Sequence, residues 1–227
     1  MNKNIVLEAN NVFKEYTQEN NKYEILKNIN FSLAKKEIVG LIGPSGSGKT
    51  TLLNLLGMLD TPSSGEIFVN GVATSGLADK EKTNLRGSNI GFVFQFHHLF
   101  PDFTCLENVM FPLRIQGVQK NIALSRAEEI LEKMGLSERR NNYPTQISGG
   151  EQQRTAIARA IVFNPKIIIA DEPTGNLDTE NAQMVFNLLL GLVETLDTAI
   201  IVATHDTNIA NQIPKKIKIE NKTLINI

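Results

Sequence analysis

A glycine-rich loop at residues 43–50 limits the possible folds of this chain more than any other feature of its sequence. The apolar run Ile38–Ile42 precedes the loop, and the helical pattern Thr51–Leu56 follows it. The loop fits the pattern G-x-x-x-x-G-K-[ST], and its members are Gly43, Pro44, Ser45, Gly46, Ser47, Gly48, Lys49 and Thr50. Between a strand and a helix, this pattern predicts a phosphate-binding turn at one edge of a parallel sheet.

The residue types of this loop explain the predicted chemistry. Glycines allow backbone N–H groups to turn inward as an anion-binding nest, and the N-terminus of the following helix adds its dipole. Lys49 can reach the terminal phosphates of a nucleotide, and the Thr50 hydroxyl can ligate Mg²⁺. The alternative is a flexible Gly/Ser loop that binds nothing, and the flanking strand and helix disfavour it.

The rest of the chain alternates between short apolar runs and helical patterns. The predicted strands are Ile5–Leu7, Ile38–Ile42, Glu66–Val69, Ile90–Gln95, Lys166–Asp171 and Ala199–Thr204. One helical pattern places six apolar residues on a single face: Ala182, Val185, Phe186, Leu189, Leu192 and Val193. Such alternation predicts an α/β fold with a mostly parallel sheet. A final hairpin around Asn221 is expected within residues 215–227.

Residues 96–161 break this alternation. They contain helical patterns at Leu106–Gln116, Ile122–Met134 and Glu151–Ile161, without a convincing strand. We therefore expect one domain over residues 1–227. Its core would comprise residues 1–95 and 162–227, with residues 96–161 as a helical insert.

Length, charge and cysteine content exclude several classes of protein. The chain has 227 residues and a net charge of -1, so no overall positive field attracts nucleic acid or anionic lipid. No apolar run approaches the roughly 18 residues needed to span a bilayer, and the N-terminus lacks the pattern of a secretory signal. Cys105 is the one cysteine. It cannot form an internal disulfide and is interpreted as a packing residue.

A second motif consists of an apolar strand that ends in two acids, Asp171 and Glu172. Ligands of parallel sheets lie beyond the carboxyl ends of the strands, so these acids should face the phosphate loop. Asp171 suits a Mg²⁺ ligand acting through water, and Glu172 suits the general base that polarises the attacking water. Alone, such a pair is more often a solvated turn, but the loop upstream favours the functional interpretation.

A third motif begins the helix at residues 148–161. Ser148 and Glu151 fit a capping box, which is the structural explanation of the pattern. Gly149 and Gly150 are poor helix formers, and two of them in a first turn indicate close approach of an anion to the backbone. The sequence therefore predicts two phosphate-binding helix ends.

The order and spacing of five segments resemble those of ABC-type ATPases over essentially the whole chain. The segments are the loop at 43–50, Gln95, Ser148–Arg154, Ala170–Asp178 and Thr204–Asp206. The resemblance implies a RecA-like P-loop NTPase core with an N-terminal antiparallel β subdomain and an inserted helical subdomain. It also implies a head-to-tail homodimer, in which ATP lies between the loop of one copy and residues 148–151 of the other.

The same resemblance implies a role for individual residues. Tyr16 would stack on adenine, with Tyr23 as the alternative, and Thr51 would join the loop in binding ATP. Lys49, Glu172 and His205 would act in hydrolysis, with His205 on the γ-phosphate. The implied Mg²⁺ ligands are Thr50, Gln95 and Asp171. Asp178 would cross the dimer interface.

The segment Phe94–Asn108 and the following Val109 resemble the ATPase subunits of lipoprotein-releasing (Lol) transporters. That resemblance implies a peripheral subunit on the cytoplasmic face of the inner membrane, bound to two integral membrane permease subunits, with lipoprotein cargo contacted indirectly. Four apolar residues of this segment can form a groove for a partner helix: Phe96, Leu99, Phe100 and Phe103. Metal binding by His97 and His98 is disfavoured, because adjacent histidines match no zinc spacing.

Three other functions remain open at this stage. Within transporters, the ATPase of a macrolide or peptide exporter or of the cell-division complex shares most of these residues. A regulatory subunit without turnover is disfavoured by the complete set of site residues. A soluble ABC protein of DNA repair or translation is disfavoured, because the chain has neither coiled-coil heptads nor a basic stripe. We expect no nucleic-acid partner.

Overall fold

The computed structural model describes residues 4–19 and 21–227. Its strands are β1 (Ile5–Gln18), β2 (Asn21–Ala34), β3 (Ile38–Ile42), β4 (Ser64–Val69), β5 (Val72–Ala73), β6 (Ile90–Phe94), β7 (Ile167–Asp171), β8 (Ala199–Thr204), β9 (Lys215–Glu220) and β10 (Thr223–Asn226). Its α-helices are α1 (Lys49–Leu56), α2 (Asp79–Asn89), α3 (Cys105–Ile115), α4 (Lys120–Lys133), α5 (Gly149–Ile161), α6 (Thr179–Thr195) and α7 (Thr207–Asn211). Short 3-10 turns lie at Ser137–Arg139 and Pro144–Gln146.

A six-stranded sheet of order β10-β9-β3-β8-β7-β6 forms the centre of the molecule. Strands β3, β6, β7, β8 and β9 are parallel, and only β10 pairs in the antiparallel sense. Strand β8 is buried throughout and β7 almost so, which explains their continuous apolar sequences. The predicted parallel α/β core is confirmed. The loops after β3, β6, β7 and β8 therefore leave the sheet at one edge.

A four-stranded antiparallel sheet of order β2-β1-β4-β5 lies beside this core. The periodicity predicted a strand only at Ile5–Leu7, whereas β1 continues to Gln18, and β2 was not predicted at all. Bulges explain the failure, because the register shifts between Ala9 and Val12 and again between Val12 and Lys14. Asn11 and Asn28, near these shifts, have φ of 51° and 48°. Each bulge interrupts the alternation of apolar and polar residues.

Five of the helices lie close to their predicted positions, whereas α2 and the five-residue α7 were not predicted. Helices α3, α4 and α5 start or end within about two residues of the predicted patterns, as expected for such boundaries. In α6 the buried residues are the six predicted for its apolar face. Helix α2 was missed, because none of its residues is buried and no apolar stripe marks it.

Two apolar clusters account for the packing. One cluster joins the central six-stranded sheet to helices α3 to α7. The other lies between the two sheets and α1. The C-terminal hairpin forms as predicted, with φ of 49° at Asn221 and 67° at Lys222 in its turn. Among the residues that the structure describes, no helix is both long and apolar enough to cross a membrane.

Candidate nucleotide-binding site

A cavity of about 720 Å³ opens at the carboxyl edge of the central sheet. Its walls combine the loop after β3, the start of α1, Ile25 of β2, the last residues of β6 and β7 and the residues that follow β6, β7 and β8. The lining residues are Ile25, Ser45, Gly46, Gly48, Lys49, Thr50, Thr51, Phe94, Gln95, Phe96, His98, Asp171, Glu172 and His205. The fold therefore brings the first two predicted motifs, Gln95 and His205 together in one cavity.

Some predicted site residues lie outside these walls. Gly43 and Pro44 form the start of the loop, and Ser47 lies with Pro44 in an adjoining cavity. Residues 148–151 and 178 do not line the large cavity of the same chain, and neither does residue 16.

The loop holds several donors beside the cavity, and one of them, the Ser47 hydroxyl, lacks a partner in the described part of the chain. Gly48 precedes α1 with φ of 100°, a left-handed conformation that favours glycine, and no side chain caps this helix. Lys49 is buried, and its Nζ donates to the carbonyl oxygens of Gly43 at 2.7 Å and Pro44 at 3.0 Å. Ser47 Oγ is buried without a hydrogen-bond partner among the described residues. An anion with several oxygens fits this cradle, because it would accept from groups that otherwise lack partners.

Asp171 and Thr50 meet across the cavity floor. Thr50 Oγ1 donates to Asp171 Oδ2 at 2.9 Å. Burial raises the pKa of the Asp171 carboxyl above its ordinary value, the Thr50 hydrogen bond lowers it, and the charge of Glu172 raises it further. A hydroxyl and a desolvated carboxylate are oxygen donors that suit Mg²⁺, whose charge would stabilise the ionised acid.

Glu172 contacts His205 through both carboxylate oxygens. His205 Nδ1 lies 2.8 Å from Oε1, and the His205 backbone N–H donates to Oε2 at 3.3 Å. The Glu172 backbone has φ of 49°, an uncommon value for a non-glycine residue, and its N–H donates to Ala203 O at 2.9 Å. This conformation turns the Glu172 side chain from the end of β7 toward β8, where His205 follows.

Gln95 forms a reciprocal pair with Asn176. Its Nε2 donates to Asn176 Oδ1 at 3.0 Å, and Asn176 Nδ2 donates to the Gln95 carbonyl oxygen at 3.3 Å. The amide nitrogen of Gln95 is thereby engaged, so its side-chain oxygen Oε1 is the atom available to a cation. Asn176 lies within the segment Ala170–Asp178, where the resemblance implied no role for it. Its position two residues before Asp178 gave no separate signal.

Tyr16 lies beside the cavity and is held by a polar cluster. Its hydroxyl donates to Asp60 Oδ2 at 2.7 Å, and Lys14 Nζ lies 4.6 Å from its ring centroid. The hydrogen bond to Asp60 and partial burial raise the pKa of the Tyr16 hydroxyl, whereas the hydroxyl of Thr51, a wall residue, lowers it. Tyr23 is the cross-strand partner of Tyr16 and is also exposed, so both candidate aromatic residues occupy the same corner. Asp60 was not predicted.

The two glycines at the start of α5 differ in their surroundings. Ser148 and Glu151 form the expected capping box, with Ser148 Oγ accepting from Glu151 N at 3.3 Å. A Cβ on Gly150 would lie 2.5 Å from Asn181 Oδ1, whereas one on Gly149 would meet nothing closer than 3.8 Å. Close packing against α6 thus explains Gly150, and only Gly149 is an exposed approach to the backbone. The predicted binding of an anion by the backbone N–H groups of these two glycines stays a prediction.

Glu151 and Asp178 also have structural partners. The backbone N–H of Ser148 and the Arg139 guanidinium, 2.8 Å from Glu151 Oε1, lower the pKa of Glu151 to about 2. Asp178 caps α6 by accepting from the backbone N–H groups of Glu180 and Asn181 at 3.1 Å and 3.0 Å. These hydrogen bonds lower the pKa of Asp178.

The aromatic residues near Gln95 divide into two groups. Phe92 and Phe94 stack on each other with centroids 5.8 Å apart, and Phe94 lines the cavity. Because the two rings point to one face of the strand, a position in the core is expected for both, but both are only half-buried. The rings of Phe100, Phe103 and Phe111 pack together on the helical segment, while Phe96 is 69% exposed.

Comparison with known proteins identifies the family to which this geometry belongs. The family described as ABC transporter matches residues 26–175. This chain belongs to the ABC transporter family. The phosphate loop, the acids after β7 and the fold agree with that assignment, so the chain is an ABC-type ATPase. The N-terminal antiparallel sheet and the helices between β6 and β7 are the features that the resemblance implied.

Relatives and solved structures cover nearly the whole ABC ATPase chain. A protein of Nitrobacter hamburgensis described as "Lipoprotein-releasing system ATP-binding protein LolD" is 44% identical, covering 98% of this chain and 96% of the relative. The protein of the same description from Saccharophagus degradans is 47% identical, and the match covers 95% of this chain and 94% of the relative. A dimeric structure of a post-hydrolysis state of the ATP-binding cassette MJ0796 bound to ADP and Pi has a TM-score of 0.88 and 39% identity, covering 96% of both chains.

Proposed function

We propose that this ABC ATPase powers the release of lipidated proteins from the inner membrane toward the outer membrane. The observation that carries the proposal is the 44–47% identity to LolD proteins, extending over 94–98% of the chain. Macrolide or peptide exporters and the cell-division complex are the competing assignments.

In the proposed reaction the loop at 43–50 holds the nucleotide phosphates. Backbone N–H groups at the start of α1 and Lys49 would donate to the β- and γ-phosphate oxygens, and the buried Ser47 hydroxyl would gain its missing partner. Thr50, Gln95 and Asp171 would hold Mg²⁺, which offsets phosphate charge when bound. Tyr16, oriented by Asp60, would stack on the base.

Glu172 is the proposed general base. Its carboxylate would accept a proton from the water that attacks the γ-phosphate, and His205 would fix the orientation of that carboxylate through their contact at 2.8 Å. His205 is two-thirds exposed, with 68% of its side chain accessible, so its ring can also turn to a phosphate oxygen. In the proposed reaction His205 would therefore contact both the general base, Glu172, and the γ-phosphate.

A second copy of the chain would complete each nucleotide site. In one chain the exposed Gly149 and the first turn of α5 are not part of the cavity wall, although their open N-terminus suits an anion. In a head-to-tail dimer, residues 148–151 of one copy would cover the nucleotide on the other. The dimeric structure of the MJ0796 cassette supports the formation of a dimer. Asp178 would lie at the interface.

Two integral membrane permease subunits are the proposed membrane partners. The helical segment exposes Phe96 and Phe100 near Gln95, a surface that suits an apolar partner helix. The dimer would act on the cytoplasmic face of the inner membrane as a peripheral subunit, and lipoproteins would contact the permease rather than this chain.

Depletion of the protein from its source cells tests the proposal. Outer-membrane lipoproteins should then accumulate in the inner-membrane fraction, and wild-type protein should restore their sorting. A Glu172→Gln variant should not restore it, whereas the surface variant Glu129→Gln on α4 should. Normal lipoprotein sorting after depletion would contradict the assignment and favour the exporter or cell-division alternatives.

A further inference from the structure

Gln153 is a fully buried polar residue at the junction of three elements. It lies one turn into α5, and its side chain is 0% exposed. Its Nε2 donates to the Pro173 carbonyl oxygen at 2.6 Å and lies 3.4 Å from the Phe94 carbonyl oxygen. Pro173 directly follows Glu172, and Phe94 directly precedes Gln95. One amide group therefore joins the helix to both strand ends that carry proposed site residues.

Packing alone does not account for an amide at this position. Gln153 shares the buried face of α5 with Ala156, Ile157 and Ala160, where an apolar side chain would satisfy the helix pattern. Its Oε1 is buried and lacks a hydrogen bond of ordinary geometry among the described residues, although the His97 ring lies beside it: burial lowers the pKa of His97, and the Gln153 side chain, as an acceptor, raises it. A weakly partnered buried acceptor is costly, and methionine would avoid that cost. The donor contacts are what glutamine adds.

The Pro173 contact restrains the peptide unit between Pro173 and Thr174, one residue beyond Glu172. Glu172 has φ of 49°, so the direction of its side chain depends on a left-handed backbone conformation that residues other than glycine rarely adopt. Proline has no N–H, and its carbonyl is the group through which the structure can hold this turn from the side of α5. A shift of that carbonyl would move the Glu172 carboxylate relative to His205.

Arg159 strengthens the attachment of the same helix to the segment after Phe94. Its guanidinium donates to the carbonyl oxygens of His97 at 2.7 Å and His98 at 2.5 Å. With Gln153, it gives α5 contacts to three backbone carbonyls on both sides of Gln95. Hydrogen bonds from α5 thus hold the segment that carries Gln95 on both sides of that residue.

We propose that Gln153 is a positioning residue for ATP hydrolysis. It would hold the backbone next to Glu172 and Gln95 in a fixed position relative to α5, the helix that begins at Gly149. The proposal rests on the proposed roles of Glu172 and Gln95. Because the start of α5 would cover the nucleotide on a second copy, Gln153 connects that contact to the general base of its own chain. Gln153 is buried and does not line the cavity, so it would act through Glu172 and Gln95.

Steady-state hydrolysis and ATP binding by Gln153→Met test this role. Methionine keeps the size and apolar reach of the side chain but has no N–H donor. We expect kcat to fall about tenfold or more, with KM and the dissociation constant for a fluorescent ATP analogue within about twofold of wild type. An unchanged kcat, or a loss confined to KM, would overturn the proposal.

A matched control is Gln116→Met. Gln116 Nε2 also donates to a backbone carbonyl at 2.6 Å, that of Gly87, but it does so at the end of α3 away from the cavity. This variant should retain wild-type kcat. A wild-type chain without ATP hydrolysis in the same assay would instead reject the proposed function, so the two failures are distinguishable.

Gln153→Glu provides a second readout if the methionine variant folds poorly. A carboxyl group donates only when protonated, and burial raises its pKa. The ratio of variant to wild-type kcat should therefore be highest near pH 6 and decline toward about pH 8.5, as ionisation removes the donor. A ratio that stays constant over this range would contradict a role for the donated hydrogen bond.

Discussion

His205 Nδ1 lies 2.8 Å from Glu172 Oε1. Glu172 directly follows β7 and His205 directly follows β8, so the contact joins the ends of two adjacent parallel strands. The contact depends on the register of β7 and β8 and on the positive φ of Glu172, which turns its carboxylate sideways along the sheet edge. Only 14% of the Glu172 side chain is exposed. The contact with His205 therefore fixes the position of the Glu172 carboxylate, which has little contact with solvent.

Glu172→Gln should separate ATP binding from hydrolysis. Glutamine keeps the size of the side chain but cannot accept a proton from water, so turnover should fall by about two to four orders of magnitude. ATP binding should persist, and a nucleotide-bound dimer should accumulate, visible by size-exclusion chromatography. Glu129→Gln, an exposed acid paired with Lys133, should behave as wild type. Retained turnover in Glu172→Gln would remove the general-base assignment.

Asp171→Asn should stabilise the nucleotide-free protein while abolishing activity. Burial and the Glu172 charge raise the pKa of Asp171, so the folded state binds its proton more tightly than the unfolded state. Its ionisation therefore costs stability above the folded pKa, and that cost disappears as pH falls below the unfolded value. At pH 7 the Tm of Asp171→Asn should exceed that of wild type by a few degrees, and the gap should close in acid. A lower Tm at pH 7 would contradict the desolvation argument.

Arg139→Met should reduce resistance to acid. The Ser148 N–H and the Arg139 guanidinium lower the pKa of Glu151 to about 2 in the folded protein. Ionised Glu151 therefore stabilises the folded state at pH values above its pKa in the unfolded chain. The contribution is lost as pH falls from about 4.5 toward 2. Without Arg139 the acid unfolding midpoint should move to higher pH.

Arg140→Met is the matched control for that experiment. Arg140 is half-exposed and lies 3.5 Å from Glu128, so its ion pair is weak. Equal midpoints for the two variants would show that Arg139 does not hold Glu151.

Gly149→Ala and Gly150→Ala should have different consequences. A Cβ at Gly150 would approach Asn181 Oδ1 to 2.5 Å, so α5 or α6 must shift and the Tm should fall. At Gly149 the nearest atom is 3.8 Å away, so the Tm should stay near that of wild type while ATP-dependent dimerisation weakens. Asn181→Ala should relieve much of the Gly150→Ala defect. Equal Tm losses in both glycine variants would show that Asn181 is not the cause.

The sequence predicted the parallel core because its strands are buried on both faces and remain apolar throughout. It failed in the antiparallel sheet, where bulges near Asn11 and Asn28 interrupt the two-residue alternation. Helix α2 was missed because it buries no residue. The division into residues 1–95 and 162–227 with an insert at 96–161 stays a prediction.

The site was predictable where chemistry depends on consecutive residues, as in the loop at 43–50 and the acids after β7. Contacts between distant segments were not. The pairs Gln95–Asn176 and Tyr16–Asp60 connect residues 81 and 44 positions apart, and no spacing encodes them. Gln153 did carry a signal, since a polar residue on the apolar face of a helix is unusual.

Mixing two inactive variants tests the shared nucleotide site most directly. Lys49→Ala damages the loop, and Gly149→Asp places a charge at the start of α5, so each homodimer should have two defective sites. A mixed dimer should have one site with both defects and one intact site. With random assortment, equal amounts should restore about a quarter of wild-type ATP hydrolysis. Full activity of either variant alone, or a mixture as inactive as its components, would contradict a site built from both copies.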